Sequence, residues 1–301
     1  MNQIPAPEIA IPVDPVNPGQ FFACCGLLEL ADRLWPGVEA WFESGRPAFC
    51  LAWQSAGERS LASLIRQVGQ AGLIGELSPG LNQERLALEA RKRQMKQQRQ
   101  DLSESDEKRR AELGKLLREG SILIPEPFQL QLDWWKSDTD ETPKTWAGSQ
   151  EVYRIARAAL ASSGPAFACD DPFSYSCVMR AAEEQDAGGK KVEPFYFDAR
   201  RGSSAMPIDI GFSPDSLQMI SAACPAVEFL CLVGLQRFRP KTTSLPRVFE
   251  YYTWKSPLAA CVAPLAVSGL LSQCVLHGYR FENAFRTDQK KHKAFSAATP
   301  I

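Results

Sequence analysis

The sequence predicts an α+β protein, with mixed strands and buried helices in one body and a charged helical hairpin inserted into it. Short β-prone runs separated by proline and glycine indicate strands, and longer runs with apolar residues at helical spacing indicate helices. Residues 81–119 differ from both, because they are rich in helix formers and charge and contain no proline or aromatic residue. We therefore divide the chain into the N-terminal part of the body at 1–80, the hairpin at 81–119, and the rest of the body, with a basic C-terminal segment, at 120–301.

Residues 9–35 carry the clearest pattern, a short strand followed by a helix that is apolar nearly all round. Asn17 suits the N-cap, Pro18 suits the first helical position, and Gln20 has the spacing of a capping box. A helix that is apolar on all sides belongs inside a domain. An exposed helix start could also bind an anion, but most capped starts are only structural.

The remaining elements of the body follow in chain order. The patterns predict a strand hairpin at 38–53, an amphipathic helix at 58–74, strands at 122–125 and 128–132, a helix at 150–162, a strand–turn–strand at 193–213, a buried helix at 224–239 and a strand at 246–254.

The first arm of the hairpin is basic, whereas its second arm mixes both signs of charge. The cations of the first arm are Arg91, Lys92, Arg93, Lys96 and Arg99. One interpretation is a solvated hairpin. The other is an arm that lies on a partner or on a nucleic-acid backbone, with binding that weakens as salt increases.

Composition excludes some classes of protein. The chain has 301 residues and a formal net charge of -1, so it is not a general polycation for coating nucleic acid, although a local basic groove is compatible with that charge. We expect a cytoplasmic protein, because no signal-peptide pattern or membrane-length apolar run is present. The nine cysteines include no C-x-x-C pair and only His277 and His292 are available to join them, so we expect buried thiols and no cofactor.

Three tryptophans lie near cations in the middle of the chain. Trp134, Trp135 and Trp146 accompany Lys136 and Lys144. Such rings usually pack in the core, and that is the preferred interpretation. The alternative is that bases stack on them while the lysines hold phosphates.

Cations also cluster in the second half of the chain. Arg200, Arg201 and Ser203 share a predicted turn whose guanidinium, hydroxyl and backbone N–H groups could contact phosphates. Further cations are Lys190 and Lys191 upstream, Lys241 and Arg247 near the β-prone run, and Arg286, Lys290, Lys291 and Lys293 near the end. Aromatic residues interleave with this last group, which favours a nucleic-acid contact over a plain exposed tail.

Several of these motifs together resemble a known family. The motifs NPGQFFACCGLLELADRLW, LDWW with KTWAG, PFYFDARRG, RVFEYYTW and FRTDQKKHKAF are similar to the Csb group of CRISPR-associated proteins of type I-U systems, also called I-G. Within that group the chain is most similar to the short, large-subunit-like component of the interference (Cascade) complex. The similarity covers most of the chain outside 81–119, although no motif is a catalytic signature.

The resemblance implies a non-enzymatic subunit that helps to bind target DNA. In such complexes a crRNA pairs with target double-stranded DNA, protein subunits read the short flanking motif (PAM) and hold the strands, and a helicase-nuclease is recruited to cut. The implied partners also include the backbone and guide-end-binding subunits. Asn17 and Gln20 are candidates for flanking-motif contact only by residue type.

We therefore expect a non-catalytic nucleic-acid-binding subunit, with a protein-only scaffold subunit as the alternative. An enzyme is the third hypothesis, because Asp170 and Asp171 could bind a metal, but Asp-Asp-Pro-Phe is equally a turn and no second acidic cluster accompanies it. The candidate contacts to nucleic acid are Asn17, Gln20, Arg91, Lys92, Arg93, Lys144, Lys190, Lys191, Arg200, Arg201, Ser203, Lys241, Arg247, Arg286, Lys290, Lys291 and Lys293.

Overall fold

The computed structural model describes residues 4–55, 57–137, 141–146, 150–180, 192–201, 222–286 and 292–301. The helices are α1 Pro18–Leu34, α2 Leu61–Ala71, α3 Pro79–Gln97, α4 Glu104–Glu119, α5 Val152–Ser163, α6 Pro225–Arg237 and α7 Ala263–Val267. The strands are β1 Ile9–Pro12, β2 Val38–Phe42, β3 Ala48–Trp53, β4 Ile74–Gly75, β5 Ile122–Ile124, β6 Leu130–Leu132, β7 Lys241–Thr242, β8 Val248–Trp254, β9 Leu258–Ala259, β10 Val275–Phe285, β11 Lys293–Phe295 and β12 Thr299–Pro300. The mixed α+β class is confirmed.

The described strands form three antiparallel sheets. The first has the order β1-β3-β2-β9, and the second has the order β11-β10-β8-β7 with β12 also paired to β10. The third is small and has the order β4-β5-β6. None of the helices in the described part of the chain has both the length and the apolar composition needed to cross a membrane.

Helix α1 is the centre of the core. Its residues from Pro18 to Ala31 are buried, and it packs mainly against α6, which is buried along most of its length. The ring of Phe21 stacks on Phe42 of the first sheet at 5.4 Å and on Tyr251 of the second at 4.4 Å. The indole N–H of Trp254 donates to the Ala40 carbonyl at 2.7 Å. The two larger sheets are therefore joined through the first half of α1.

The charged hairpin is confirmed as an insertion between two paired strands. Its helices α3 and α4 follow β4 and precede β5, and β4 and β5 are antiparallel neighbours. Ser78 and Ser103 cap the two helices with their hydroxyl groups. Leu113 is buried in α4, whereas α3 has no buried residue among those described. The hairpin is thus attached to the body mainly through α4.

Two expectations about the second half were wrong or incomplete. The predicted strand at 193–198 is wrong: this segment lies outside the sheets, its residue Tyr196 has a φ of 65°, and a 3-10 turn follows it at Ala199–Arg201. Its amide groups bond to side chains instead: those of Phe197 and Asp198 donate to Glu228, and that of Ala199 donates to Asn17. The C-terminal segment is neither a tail nor irregular, because β10, β11 and β12 form most of it.

Candidate nucleic-acid interface

Asn17 is a buried junction between α1 and the segment that carries Arg200. Its side-chain oxygen accepts hydrogen bonds from the amides of Gly19 and Ala199, each at 3.1 Å. Its side-chain amide donates to the Asp198 carboxylate at 2.7 Å. The N-cap prediction is confirmed, but the side chain is 2% exposed and its groups are all used internally. Asn17 is therefore not placed to contact a base, and the prediction that it contacts nucleic acid is wrong for this structure.

Gln20 has a similar structural role. Its side-chain oxygen accepts from the amide of Asp14 at 2.7 Å, so it closes the turn before the helix and does not complete a capping box. A Cβ placed on Gly19 would lie 2.3 Å from the Phe197 carbonyl oxygen. The start of α1 is therefore covered by the chain itself. Neither the buried Gln20 side chain nor the start of the helix is open to a nucleic acid or a phosphate in this conformation.

Two buried carboxyl groups beside this junction differ in protonation. Burial raises the pKa of Glu228 to about 8, and the nearby charge of Asp198 adds to that effect. Burial also opposes ionisation of Asp198, but the hydrogen bonds and charge of Arg200, together with Asn17, outweigh it and lower the pKa of Asp198. At neutral pH the site therefore holds an ionised Asp198 next to a mostly protonated Glu228.

Arg200 is neutralised within the chain. Its Nη2 lies 2.6 Å from both the Asp198 carboxylate and the Phe173 carbonyl oxygen, and 3.1 Å from the Cys224 sulfur. The Arg200 guanidinium therefore mainly compensates the negative charge of the Asp198 carboxylate, although 43% of the Arg200 side chain is exposed. For Arg201 only the backbone is described. The candidates Lys190, Lys191, Ser203, Lys290 and Lys291 lie outside the described residues.

The hairpin cations divide into paired and exposed sets. Arg91 pairs with Asp106 and Lys92 with Glu107, each at 2.8 Å across the two helices. Arg93 is exposed and has no ion pair with the residues that the structure describes. These ion pairs join α3 to α4, and they balance two of the five cations of the first arm.

The tryptophans pack in the core. Trp134, Trp135 and Trp146 are at most 4% exposed, and their ring centroids lie 5.5–5.7 Å apart in edge-to-face contacts. The packing interpretation is confirmed, because the rings offer no accessible face for a base. Lys144 lies 5.5 Å from the Trp146 ring and 3.5 Å from Glu119, with 16% of its side chain exposed.

Cations that are distant in sequence meet at the far end of the β10–β11 hairpin. Phe285 is the register partner of Lys293. The Phe285 ring lies 4.7 Å from the Arg247 guanidinium and 5.9 Å from the Lys293 ammonium. The Arg286 guanidinium lies 3.4 Å from the centre of the Tyr196 ring. We call Arg247, Arg286 and Lys293 the hairpin-end cations.

One acid near this end partly offsets the charge of Arg247. Arg247 has an ion pair with Glu282 at 3.4 Å, and 38% of its side chain is exposed. Lys241, another candidate, pairs with Glu250 at 3.4 Å beside Arg280, so it belongs to a separate internal network. An aromatic ring positions a cation without cancelling its charge. The ring contacts of the hairpin-end cations therefore leave in place the positive charge that a phosphate contact needs.

A second basic surface was missed by the sequence analysis. A groove of about 700 Å³ lies between α2 and α5, and a recess of about 570 Å³ beneath the charged hairpin adjoins it, since Leu73, Tyr153 and Arg157 line both. Arg66 lines the first part and Arg85 the second. The arginines of this surface come from α2, α3 and α5, which are far apart in the sequence. The only sequence signal for it was the amphipathic pattern of the helix at 58–74.

Asp170 and Asp171 were the residues that could bind a metal in the third hypothesis. Within the described ranges no three His, Cys, Asp or Glu side chains form a group that could hold a metal ion. Asp171 accepts from the Phe173 amide at 2.9 Å, as a turn requires, so the turn interpretation of Asp170-Asp171 is confirmed.

Comparisons of the chain with protein-family models, curated proteins and solved structures find no match.

Proposed function

We propose that the chain is a non-catalytic nucleic-acid-binding subunit of a cytoplasmic, crRNA-guided CRISPR type I effector complex. The observation that carries the proposal is the meeting of Arg247, Arg286 and Lys293 on aromatic rings at the end of the β10–β11 hairpin. The motif resemblance implies the partners in this complex, which are crRNA, target double-stranded DNA, other effector subunits and a recruited helicase-nuclease. In this proposal the end of the β10–β11 hairpin contacts the nucleic acid.

The chemistry of this surface suits a phosphate backbone. Guanidinium groups donate two hydrogen bonds to phosphate oxygens, and an ammonium group acts as a point charge. Rings beneath the cations fix their positions and reduce the side-chain freedom that binding would otherwise remove. Backbone contacts position a strand without reading its sequence. This surface would therefore hold a strand, and any reading of the flanking motif would require polar groups other than the buried Asn17 and Gln20.

The test is a salt titration of binding with a triple variant. Arg247→Gln, Arg286→Gln and Lys293→Gln together remove the three charges and keep side-chain length. Affinity for duplex DNA and for guide RNA is measured by fluorescence anisotropy at several salt concentrations. Each lost phosphate contact should reduce the slope of log affinity against log salt by about 0.9 on duplex DNA.

The control is Arg46→Gln, since Arg46 lies in the turn between β2 and β3 and 74% of its side chain is exposed. It changes the net charge of the chain at a distance from the hairpin end. We expect the control to keep the parent slope and the triple variant to lose about 2 to 3 from it. Equal slopes in the parent and the triple variant, with the fold intact by circular dichroism, would reject this surface.

A protein-only scaffold is the second candidate, and one observation favours it. Several predicted cations are bound to acids within the chain, as with Arg91 to Asp106, Lys92 to Glu107 and Arg200 to Asp198. A scaffold would join the particle without a salt-dependent grip on nucleic acid. Co-expression with neighbouring subunits and a guide RNA separates the two roles. A scaffold role predicts that the triple variant assembles and supports target binding as well as the parent does.

A further inference from the structure

The groove between α2 and α5 combines an apolar floor with a basic rim. Ile65 of α2, Leu160 of α5 and Phe167 of the following 3-10 turn line the floor. Arg66 is exposed on one wall, and Arg157 lies on the other. The groove continues into the recess beneath the charged hairpin, where Arg85 and Arg154 line the sides.

Two arginines of this surface have no ion pair with the residues that the structure describes, namely Arg66 in the groove and Arg85 in the recess, where Arg85 bonds to Asn82. Glu76 lines the recess, but its carboxylate is bonded to Lys136 at 2.5 Å and to the Ser121 amide at 2.7 Å. Glu151, before the first turn of α5, is the other acid along the described lining. Arg66 and Arg85 therefore leave a positive field at the two ends of the groove.

We propose that this groove is a docking site for an acidic segment of a partner protein that anchors itself with an apolar side chain. The apolar anchor would enter between α2 and α5, where it loses water against Ile65, Leu160 and Phe167. Carboxylates beside the anchor would bond to the arginines of the rim, in which Arg66 and Arg85 stand at opposite ends. Charged pairs at the rim would steer the encounter and fix the direction of the segment.

A protein segment fits this groove better than a nucleic acid does, because its rings are covered. The Tyr153 hydroxyl donates to the Leu73 carbonyl at 3.0 Å, and a Cβ on Gly75 would lie 3.1 Å from the Tyr153 ring. The Arg157 guanidinium lies 5.5 Å from the centre of the same ring. Phe167 is 8% exposed. No ring in the described lining offers a free face on which a base would stack, which is what single-strand binders use.

Gly69 offers a way to close the groove without touching the core. It lies in α2 and lines the groove, and a Cβ built on it meets no atom within 4 Å. Gly69→Trp would place a ring into the groove, whereas Gly69→Ala would leave the groove open. The two variants change the same backbone position, so the alanine is a matched control.

The test uses short fluorescein-labelled peptides and the full-length protein. The main probe alternates glutamate with leucine, a second replaces leucine by serine, a third replaces glutamate by lysine, and a single-stranded oligonucleotide completes the set. We expect saturable anisotropy binding of the glutamate–leucine peptide only. Arg66→Glu combined with Arg85→Glu should weaken that binding at least tenfold, as should Gly69→Trp, while Gly69→Ala and Arg46→Glu should leave it within twofold.

The outcomes separate the proposal from its rivals. Absence of saturable binding by the glutamate–leucine peptide overturns it, as does binding that survives Gly69→Trp. Equal binding of the serine peptide would reject the part of the proposal in which an apolar side chain anchors the segment. Oligonucleotide binding that is abolished by Gly69→Trp would assign the groove to nucleic acid. The hairpin-end triple variant should bind the peptide normally, so the result is independent of the proposed function.

Discussion

Gly26 of α1 and Gly234 of α6 lie against each other where the two central helices cross. A Cβ on Gly26 would lie 2.0 Å from the Leu230 carbonyl oxygen and 3.0 Å from the Gly234 nitrogen. A Cβ on Gly234 would lie 2.0 Å from the Phe22 carbonyl oxygen. The backbones of the two helices are therefore in direct contact, and that contact fixes the positions of Asn17 at the start of α1 and Glu228 in the first turn of α6.

Alanine at either glycine of this crossing should destabilise the protein strongly. The new methyl group would meet a backbone carbonyl, which cannot rotate away, so the helices must separate. We expect Gly26→Ala and Gly234→Ala each to lower the free energy of unfolding by about 3 kcal/mol or more, at or above the upper end of the range for overpacked cores. Urea denaturation followed by circular dichroism measures it.

Gly69→Ala is the matched control for this effect. It places the same methyl group in a helix, but in open space. We expect it to raise the free energy of unfolding by about 0.5–1 kcal/mol, because alanine is the better helix former. Equal effects at Gly26 and Gly69 would show that the helix crossing is not as tight as described.

The local elements were predictable from the sequence, because their signals are local. The cap at Asn17, the start of α6 at Pro225 and the charged hairpin are all determined by residues within a few positions of each other. The segment at 193–199 was not, since the amides of Phe197 and Asp198 find their acceptor in Glu228. The amide of Ala199 finds its acceptor in Asn17, about 180 positions away along the chain. A strand-like composition shows only that backbone groups need partners, not which partners they find.

The same limit applied to the candidate site. Whether Arg247 would be paired with an acid depended on its contact with Glu282, which joins the residue before β8 to β10. Strand β10 was not predicted, although Tyr279, Phe281 and Asn283 alternate with exposed residues along it and face inward. Its register with β11, which brings Lys293 to Phe285, was not readable from either strand alone.

Glu228 should make stability depend on pH. Its pKa is raised to about 8 in the folded protein by burial and by Asp198, against 4.5 ordinarily, so the folded state holds this proton more tightly than the unfolded state does. The contribution is complete below pH 4.5 and is lost as the pH rises towards and past 8. Arg200 and the Cys231 thiol are the other ionisable groups nearby, and burial raises the pKa of that thiol.

Glu228→Gln should remove this dependence. The amides of Phe197 and Asp198 donate to different oxygens of Glu228, so the single amide oxygen of glutamine can replace one of the two acceptors. That loss does not depend on pH, so we expect the stability of the variant relative to the parent to rise by a few kcal/mol between pH 5 and pH 9. Urea denaturation at the two pH values measures the difference. A constant difference across that window would contradict a protonated Glu228.

Two tryptophans of one cluster should respond differently to phenylalanine. The Trp134 indole N–H donates to the Leu232 carbonyl at 3.0 Å, whereas the buried indole N–H of Trp146 has no acceptor among the described residues. Trp134→Phe leaves a buried carbonyl without its donor, while Trp146→Phe removes a group that is already unsatisfied. We expect Trp134→Phe to cost about 1–2 kcal/mol more in chemical denaturation. The reverse order would mean that Trp146 has an acceptor.

The charged hairpin should be removable without loss of the body. The Glu76 amide bonds to the Ser121 carbonyl at 3.0 Å, so the chain ends left by excising residues 80–117 are already neighbours. A short glycine–serine turn can therefore join β4 to β5. We expect cooperative thermal unfolding at a lower midpoint, because the buried contacts of Leu113 are lost. Non-cooperative unfolding would show that the hairpin is part of the core.

Arg200 and Lys293 should separate folding from binding when their charges are reversed. Arg200→Glu would leave the fully buried Asp198 without its counter-ion and add a second negative charge beside it. We expect it to lower the free energy of unfolding by about 3 kcal/mol, the lower end for a broken buried pair, because 43% of the Arg200 side chain is exposed. The Lys293 side chain is partly exposed, so water screens its charge contacts and Lys293→Glu should cost less than about 1 kcal/mol of stability. Lys293→Glu should nevertheless weaken DNA binding in low salt. Arg200→Gln would show whether the loss of the Arg200 charge alone weakens DNA binding. A large loss of stability in Lys293→Glu would contradict a role in binding alone.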